Sequence, residues 1–383
     1  MGNTFPLRQR EPTLPWSQIT VSDQREEFVR LARQPGANVS ELCRRFAISR
    51  KTGYKWLGRE SFEDQSRRPR SSPRRTMEAV ETAVLQLRDR CPAWGGRKIA
   101  RVLERDRGLE LAPSTVTSVL HRHGRISEQA SQAAMPWHRF EHDTPNSLWQ
   151  IDFKGHFATA AQRCHPLTVL DDHSRFSIVL QALADEKRAS VQPVLQTAFE
   201  RFGLPDRINA DNGSPWGNQA QGGITGLAIW MMRLGIRVSY SRPLHPQTNG
   251  KDERFHRTLK NEVLAMHSFA DLDHAQCHFA SWRQLYNFER PHDSLGMQTP
   301  ASRYRPSHRR MPKSLPPIEY LSGDLVRKVQ QGGWFSLHGK DFRTSKALAG
   351  QPIACRPLAD DDGAFAIFFC HQKIEEISLN DPC

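Results

Sequence analysis

The fold is decided between residues 148 and 180, which read LWQIDFKGHFATAAQRCHPLTVLDDHSRFSIVL. Three runs of apolar and β-branched residues in this stretch, at 148–154, 166–170 and 176–180, predict β-strands. The polar segment 171–175 between the last two runs is typical of a hairpin turn. The stretch therefore predicts the beginning of a β-sheet.

Helix and strand patterns alternate in the residues that follow. The predicted elements are, in order, a helix at 191–202, a strand at 205–210, a helix within 222–235, a strand at 236–240 and a helix at about 251–266. Three strands followed by this alternation indicate an α/β fold, a mixed five-stranded sheet with helices on its faces.

Residues 24–58 have the pattern of three short helices, with Ser40 and Ser49 as expected N-caps of the second and third. In the third helix, Tyr54 is expected to pack inward. The residues expected to project outward and to contact DNA are Arg50, Lys51, Thr52 and Lys55. This pattern is typical of a helix-turn-helix whose second helix enters the major groove. The alternative is a generic three-helix bundle with a solvated basic face.

A second set of three helices is predicted in residues 77–123, where Gly95-Gly96 ends the first helix and Pro113 opens the third. Its basic excess is smaller than that of the N-terminal region. We interpret it as a second helix-turn-helix-like unit, and the alternative is a structural bridge.

The charge of the chain favours a polyanionic partner. Its 54 Lys and Arg against 41 Asp and Glu give a net charge of +13. Much of that excess lies in residues 1–76, which contain 16 basic and 8 acidic side chains. Nucleic acid is the simplest partner for such a surface. Since we find neither a leader nor a membrane span, and since the seven cysteines are scattered, we expect a soluble cytoplasmic protein.

Two linkers divide the chain. One is rich in Pro, Ser and Arg, and the other separates the second helical unit from the sheet. The predicted organisation is a helix-turn-helix domain at 1–62, a basic linker at 63–76, a second helix-turn-helix-like domain at 77–130, a linker at 131–145, a catalytic core at 146–305 and a small β-rich domain at 306–383.

Three carboxylates are candidates for a metal site. Asp152 lies in the first strand, Asp211 directly follows the fourth, and Glu253 lies in the first turn of the helix at about 251–266. If strands one and four are adjacent, the two aspartates lie side by side and the helix can bring Glu253 over them. Such oxygen ligands suit Mg²⁺ or Mn²⁺, and two ions would serve an in-line phosphoryl transfer.

Each of these acids also has a less specific interpretation. Asp211, followed by Asn212-Gly213, could belong to an ordinary turn, and Glu253 could lie on a solvated helix face. The neighbouring Asp252 is expected to be exposed. Asp171 and Asp172 are expected to be hairpin turn residues, with a smaller chance of being ligands.

Three motifs that occur in order carry a family resemblance. They are Trp149-Gln-Ile-Asp152, Asp211-Asn-Gly213 and His245-Pro-Gln-Thr-Asn-Gly-Lys-Asp-Glu253-Arg-Phe-His-Arg-Thr-Leu-Lys260. Together they resemble the DDE signature of bacterial insertion-sequence transposases with a retroviral-integrase-like core. The resemblance implies an RNase H-like core, Mg²⁺-dependent strand cleavage and strand transfer, and assembly as a dimer or larger oligomer on transposon ends and target DNA. It also implies a bacterial protein associated with the nucleoid.

Two other functions remain open at this point. One is a nuclease with the same core that hydrolyses nucleic acid without joining it. The other is a catalytically inert DNA-binding regulator. The N-terminal helix-turn-helix argues against the first, and the complete set of carboxylates argues against the second.

The helix that carries Glu253 also carries a row of basic residues, Arg254, Arg257 and Lys260. Glu253, Arg257 and Lys260 are spaced to share one helical face. The family resemblance implies that this row contacts transposon-end DNA. The alternative is a surface ion pair between Glu253 and Arg257.

Overall fold

The computed structural model describes residues 20–64, 75–126, 142–217, 223–241, 250–358 and 363–380. The chain divides into two compact units, Met1–Arg75 and Thr76–Cys383. The basic linker, apart from its first two and last two residues, and the segment 242–249 lie outside the described residues. No helix of the described ranges is both long and apolar enough to cross a membrane.

The first unit contains three helices: α1 (Val21–Ala32), α2 (Val39–Arg45) and α3 (Arg50–Leu57). Ser49 caps α3 as predicted, since its hydroxyl accepts the Thr52 N–H at 3.1 Å. The prediction for Ser40 was wrong. Asn38 is the N-cap of α2, and its side chain accepts the N–H groups of Ser40 and Glu41. An amide oxygen one residue before the first turn meets two unpaired donors at once.

The core of this unit shows which face of α3 is buried. Phe28, Cys43 and Trp56 are buried, whereas Tyr54 is 61% exposed, so its predicted inward position was wrong. Gly53 explains the difference, because a Cβ atom there would come within 2.6 Å of Cys43 Sγ. The side of α3 at this glycine packs closely against Cys43 and Phe28, and Tyr54, one residue further, is turned outward.

The second unit begins with the three predicted helices α4 (Glu78–Arg90), α5 (Gly96–Arg107) and α6 (Pro113–Arg122), which enclose their own apolar core. Ion pairs connect them to the segment that follows the main helices of the sheet domain. Arg90 Nη2 lies 2.9 Å from Glu289 Oε2, and Arg97 Nη1 lies 3.2 Å from Asp293 Oδ1. These helices are therefore attached to the domain that carries the carboxylates.

The central sheet consists of β1 (Trp149–Phe153), β2 (Phe157–Ala158), β3 (Arg163–Asp171), β4 (Ser177–Leu183), β5 (Arg207–Ala210) and β6 (Arg237–Tyr240). Its order is β2-β3-β1-β5-β6, with β4 paired to β3. The β3–β4 hairpin and the β1–β3 pair are antiparallel, whereas β1–β5 and β5–β6 are parallel. The mixed sheet and its five predicted strands are confirmed, and the two-residue β2 is an addition.

Helices flank this sheet, and the first three of them were predicted from the sequence. They are α7 (Arg188–Phe202), α8 (Gly226–Arg233), α9 (Gly250–Leu259), α10 (Leu272–Gln284) and the short α11 (Pro300–Arg303). Each of α9 and α10 continues as a π-helical turn, at Lys260–Leu264 and Leu285–Glu289. One apolar cluster lies between the sheet, α7 and α8, and another lies under α9 and α10. The sheet is therefore covered on both faces.

The C-terminal region is β-rich, as predicted. It contains β7 (Leu325–Lys328), β8 (Trp334–Leu337), β9 (Lys340–Arg343), β10 (Pro352–Pro357), β11 (Ala364–Phe369) and β12 (Gln372–Ser378). Its apolar residues join those of the central sheet in one core. The Gln372 amide also accepts the Val238 N–H at 2.8 Å and donates to the Val238 carbonyl at 2.7 Å. The C-terminal domain thus covers the edge strand β6, which would otherwise present unpaired backbone groups.

Candidate active site

The pairing of β1 with β5 brings two candidate carboxylates to one edge of the sheet. The strands are parallel, with Trp149 opposite Ile208 and Gln150 opposite Asn209. When this register is continued, Asp152 comes opposite Asp211, just beyond the end of β5. The first and fourth predicted strands, β1 and β5, are therefore adjacent. The predicted position of the two aspartates depended on this pairing.

Asp152 is a partly buried acid with few donors around it. Its Oδ1 accepts the Phe153 N–H at 2.8 Å. Burial, and then the nearby negative charge of Asp211, raise the pKa of Asp152 to about 7. The Phe153 N–H and the positive charge of Lys154 favour the ionised form of Asp152 and oppose this shift only in part.

Asp211 lies in the tight turn that follows β5. Its Oδ1 accepts the Gly213 N–H at 3.0 Å, and a Cβ atom at position 213 would come within 3.2 Å of Asp211 Oδ2. Burial raises the pKa of Asp211, although the bond from Gly213 partly opposes this. The Asp-Asn-Gly sequence thus forms a turn, which was the less specific of its two interpretations. The same turn places the Asp211 carboxylate beside Asp152.

A histidine that the sequence analysis did not single out fixes α9 against the sheet. The Nε2 of His256 lies 2.8 Å from the Thr168 hydroxyl, and its Nδ1 lies 3.9 Å from Asp152 Oδ2. Thr168 is the β3 residue paired with Asp152, and its hydroxyl donates to the Asp152 carbonyl. Burial lowers the pKa of His256 to about 3, so the imidazole is neutral near pH 7. We assign it a positioning role.

The two acids at the start of α9 occupy different environments. Asp252 is only 2% exposed, so the prediction that it is exposed was wrong. Burial, followed by the charges of Asp152 and Asp172, holds the pKa of Asp252 well above its usual range. Glu253 is exposed. The structure thus brings Asp152 and Asp211 together but does not bring the Glu253 side chain into that group.

Glu186 is a further acid that the sequence analysis missed. It precedes α7, and its negative charge contributes to the raised pKa values of both Asp152 and Asp211. Its Oε1 lies 2.8 Å from His165 Nδ1. Because Glu186 reaches the site through the tertiary fold, no local pattern around it could have indicated this position.

Asp171 and Asp172, at the β3–β4 turn, are buried acids with partners. The Oδ1 of Asp171 accepts the N–H and hydroxyl of Ser174, and its Oδ2 accepts the Asn146 N–H. These bonds fasten the hairpin turn and confirm the predicted turn. Since both oxygens already have protein donors, Asp171 is a structural acid.

The donor set at this edge fits a hard divalent cation. Carboxylate oxygens are what Mg²⁺ and Mn²⁺ prefer, and Asp252 Oδ1 is buried without a hydrogen-bond partner among the described residues. In those residues, however, no three His, Cys, Asp or Glu side chains stand at metal-holding distances. The carboxylates converge at this edge without forming a closed cage, as expected of acids that repel one another.

The raised pKa of Asp152 predicts a pH dependence of stability. In EDTA, we expect its contribution to the free energy of unfolding to fall as the pH rises from about 4 to about 7. The folded carboxyl, with a pKa of about 7, keeps its proton over this range, whereas the unfolded one, near 3.8, loses it. The folded state therefore binds more protons, and raising the pH destabilises it.

Urea unfolding at several pH values would measure this effect. Asp152→Asn should remove the contribution, and so flatten the decline, whereas the exposed acid Asp273, changed to Asn, should leave it in place. Identical pH profiles for the Asp152→Asn variant and the wild type would contradict the assignment of the raised pKa.

Models of known domains match the chain in the order of its structural parts. A helix-turn-helix domain matches residues 24–70, and a homeodomain-like domain matches 52–120. Two models, each described as an integrase core domain, match 142–246 and 234–300. The C-terminal domain of IS481 family transposases matches residues 324–381.

Curated relatives include proteins of bacterial insertion elements. An uncharacterized 31.7 kDa protein of insertion element IS407 from Burkholderia multivorans is 25% identical over 248 residues, which are 62% of this chain and 85% of that protein. An uncharacterized 39.2 kDa protein of IS476 from Xanthomonas euvesicatoria is 32% identical over 157 residues, which are 41% of this chain and 44% of that protein.

Similar solved structures include retroviral integrases. The HTLV-2 integrase catalytic core domain in complex with magnesium is 18% identical, with a TM-score of 0.34 over 43% of this chain and 99% of that one. The simian T-cell lymphotropic virus intasome with the PP2A regulatory subunit B56 gamma gives 18% identity and a TM-score of 0.37, over 78% of this chain and 96% of that one.

Three observations define the class of this protein: the RNase H-like mixed sheet, the paired aspartates at its edge and the two integrase core matches. The class is that of DNA transposases with a retroviral-integrase-like catalytic core. Within that class, residues 324–381 match the C-terminal domain of IS481 family transposases, and proteins of bacterial insertion elements are among the curated relatives. Its activity is that of a polynucleotidyl transferase in DNA transposition and integration.

Proposed function

We propose that Asp152, Asp211 and Glu253 are the catalytic carboxylates of this transposase and that they hold two Mg²⁺ or Mn²⁺ ions. The observation that carries the proposal is the parallel pairing of β1 with β5, which supports a position for Asp152 beside Asp211. Glu253 lies in the first turn of α9, the helix whose His256 reaches Asp152.

When bound, two such ions supply activation of the attacking oxygen and stabilisation of the leaving oxygen in an in-line phosphoryl transfer. The protein contributes the negative charge that retains them. Asp152, whose pKa is about 7, would be held in its ionised form by the positive charge of a bound cation. His256 stays neutral and keeps α9 at a fixed distance from β1. No covalent nucleophile from the protein is required.

The proposed substrates are the two ends of the mobile element and a target duplex. Recognition is assigned to the helix-turn-helix domain at 1–62, and chemistry to the core at 146–305. The proposed organisation also includes a second helix-turn-helix-like domain at 77–130 and a β-rich domain at 306–383. Linkers lie at 63–76 and 131–145. Because two ends must be held together, the active species is a dimer or a larger oligomer, acting on nucleoid DNA in a bacterial cell.

The exposed side of α3 supports the recognition role. Arg50, Lys51 and Lys55 are exposed, and within the described ranges none of them pairs with an acid. Thr52 differs, since it is half-buried and its hydroxyl lies 2.8 Å from the Ser49 hydroxyl. Exposed cationic side chains on the second helix of a helix-turn-helix are placed to contact phosphates and base edges.

The basic row on α9 is also available to DNA. Arg254, Arg257 and Lys260 are exposed. The alternative of a surface pair between Glu253 and Arg257 is not observed, because neither forms an ion pair in the part of the chain that the structure describes. The lack of acidic partners supports contact between this row and the phosphates of a transposon end.

Replacing both Arg50 and Lys51 with Ala in the full-length protein is expected to weaken binding to a duplex with the terminal inverted repeats by at least about tenfold. Each base contact of this kind contributes about 1–3 kcal/mol, and each phosphate contact that is lost reduces the salt dependence of binding. Fluorescence anisotropy at several salt concentrations measures both effects.

Arg30→Ala is the matched control, because Arg30 is exposed on α1 but already paired with Glu27. It should bind the same duplex like wild type. Equal affinities for the α3 variant and the wild type would show that end recognition lies elsewhere in the chain.

A further inference from the structure

The buried acid at the start of α9 is a feature that the proposed triad leaves unexplained. Asp252 is 2% exposed, and its Oδ1 has no hydrogen-bond partner among the described residues. A buried carboxylate in that condition is strongly destabilising unless it is protonated or paired with a cation. Asp252 must therefore either keep its proton or have a cation beside it.

The nearest lysine, Lys251, provides that cation only in part, because its positive charge acts on both Asp172 and Asp252. Lys251 Nζ lies 2.5 Å from Asp172 Oδ2, which also accepts the His142 N–H, while Asp172 Oδ1 accepts the Gln150 amide. Both oxygens of Asp172 therefore have donors, and one of these donors is Lys251. The charges of Asp152 and Asp172, which raise the pKa of Asp252, act on it more strongly than the charge of Lys251, which lowers that pKa.

The helical phase of α9 directs Asp252 towards the paired aspartates. Asp252 and His256 are one turn apart and so lie on the same helical face. His256 on that face reaches to within 3.9 Å of Asp152 Oδ2. Of the acids described at this edge, Asp152, Asp211 and Asp252 each retain a carboxylate oxygen without a protein donor, whereas Asp171 and Asp172 do not.

We propose that Asp252 is a further cation-binding residue of the catalytic site, contributed by α9 on the side that faces Asp152. Glu253, the next residue, then closes the solvent-exposed side of the same site. This inference rests on the proposed function, since it requires a divalent cation between Asp152 and α9. It adds a residue to the site and assigns the two neighbouring acids of α9 to different sides of it.

The test of this inference is the binding of Mn²⁺ to the full-length protein. Electron paramagnetic resonance measures the concentration of free Mn²⁺ and so gives the bound fraction. Asp252→Asn is expected to raise the Kd for Mn²⁺ at least tenfold and to reduce the rise in Tm that excess Mg²⁺ gives. Without cations, its Tm should equal or exceed that of wild type, because the repulsion from Asp152 and Asp172 is relieved. Asp252→Leu, which removes both oxygens, gives the same comparison if the Asn variant does not fold.

Two reference variants separate the possible outcomes. Asp273→Asn changes an exposed acid of α10 and should bind Mn²⁺ like wild type, whereas Asp152→Asn should lose binding. If Asp152→Asn loses Mn²⁺ but Asp252→Asn binds it normally, Asp252 is only a protonated buried acid and the inference is overturned. If Asp152→Asn also binds normally, the proposed cation site itself is wrong.

Discussion

Asp152→Asn and Asp211→Asn are each expected to reduce Mg²⁺-dependent cleavage at a transposon end by at least about a thousandfold. Loss of one of the three carboxylates removes several kcal/mol of charge stabilisation in the phosphoryl transfer, because the other two cannot hold the cations in the same geometry. Both residues lie at the edge formed by β1 and β5, far from the described surface of α3 in the sequence. Binding of the end duplex should therefore stay within about twofold of wild type.

Glu253→Gln should have the same effect on cleavage, and this is the most informative of the three variants because the Glu253 side chain is exposed. Cleavage of a labelled end duplex on a denaturing gel provides the measurement, and Asp273→Asn is the control for loss of one negative charge. Substantial Mg²⁺-dependent cleavage by any triad variant would remove that residue from the catalytic set.

The sheet could be predicted because its strands carry local signals. Apolar and β-branched runs bounded by turn residues placed all five main strands, and the observed β5 and β6 end where the pattern ends. The pairing register of the strands could not be predicted from these local signals. It depends on which strands are neighbours, and only the pairing of Gln150 with Asn209 shows that Asp152 and Asp211 share an edge.

The periodicity of apolar residues in α9 indicates which of its first acids is buried. Asp252 lies three, seven and eleven positions before Phe255, Leu259 and Val263, all of which are buried. That spacing defines a single helical face, so helical periodicity alone would have put Asp252 inside and Glu253 beside it. Charged side chains are seldom fully buried, so the buried Asp252 is an exception that follows from its place on this face.

Glu186 and His256 could not have been predicted as site residues by the same means. Glu186 acts on Asp152 and Asp211 from the segment before α7, and His256 meets Thr168 across a long separation in sequence. Both contacts arise only when helices pack on the sheet. Tyr54 is a similar case on a smaller scale, since the close approach at Gly53 decides which face of α3 is buried.

Strand joining is the second result with a large expected effect. A pre-cut transposon end with a free 3′-hydroxyl should be joined to target DNA in Mg²⁺ or Mn²⁺, and an end with a 3′-hydrogen should give no joined product. The attacking oxygen belongs to the DNA, so its removal abolishes the reaction but leaves the binding surfaces intact. A site that only hydrolyses DNA would treat both ends alike, since water is its nucleophile.

The basic row of α9 should matter more for joining than for recognition, because a second duplex must be held beside the carboxylates. Lys260→Glu is expected to reduce joining at least about tenfold while end binding by α3 changes little, since the exposed Lys260 lies on the helix of Glu253. Arg207→Glu, at the opposite end of β5 from Asp211, makes the same change of charge away from the site and should join normally. If well-defined ends yield only hydrolysis products in wild type, the site is that of a nuclease. If both charge reversals reduce joining equally, the basic row has no specific role in holding a second duplex beside the carboxylates.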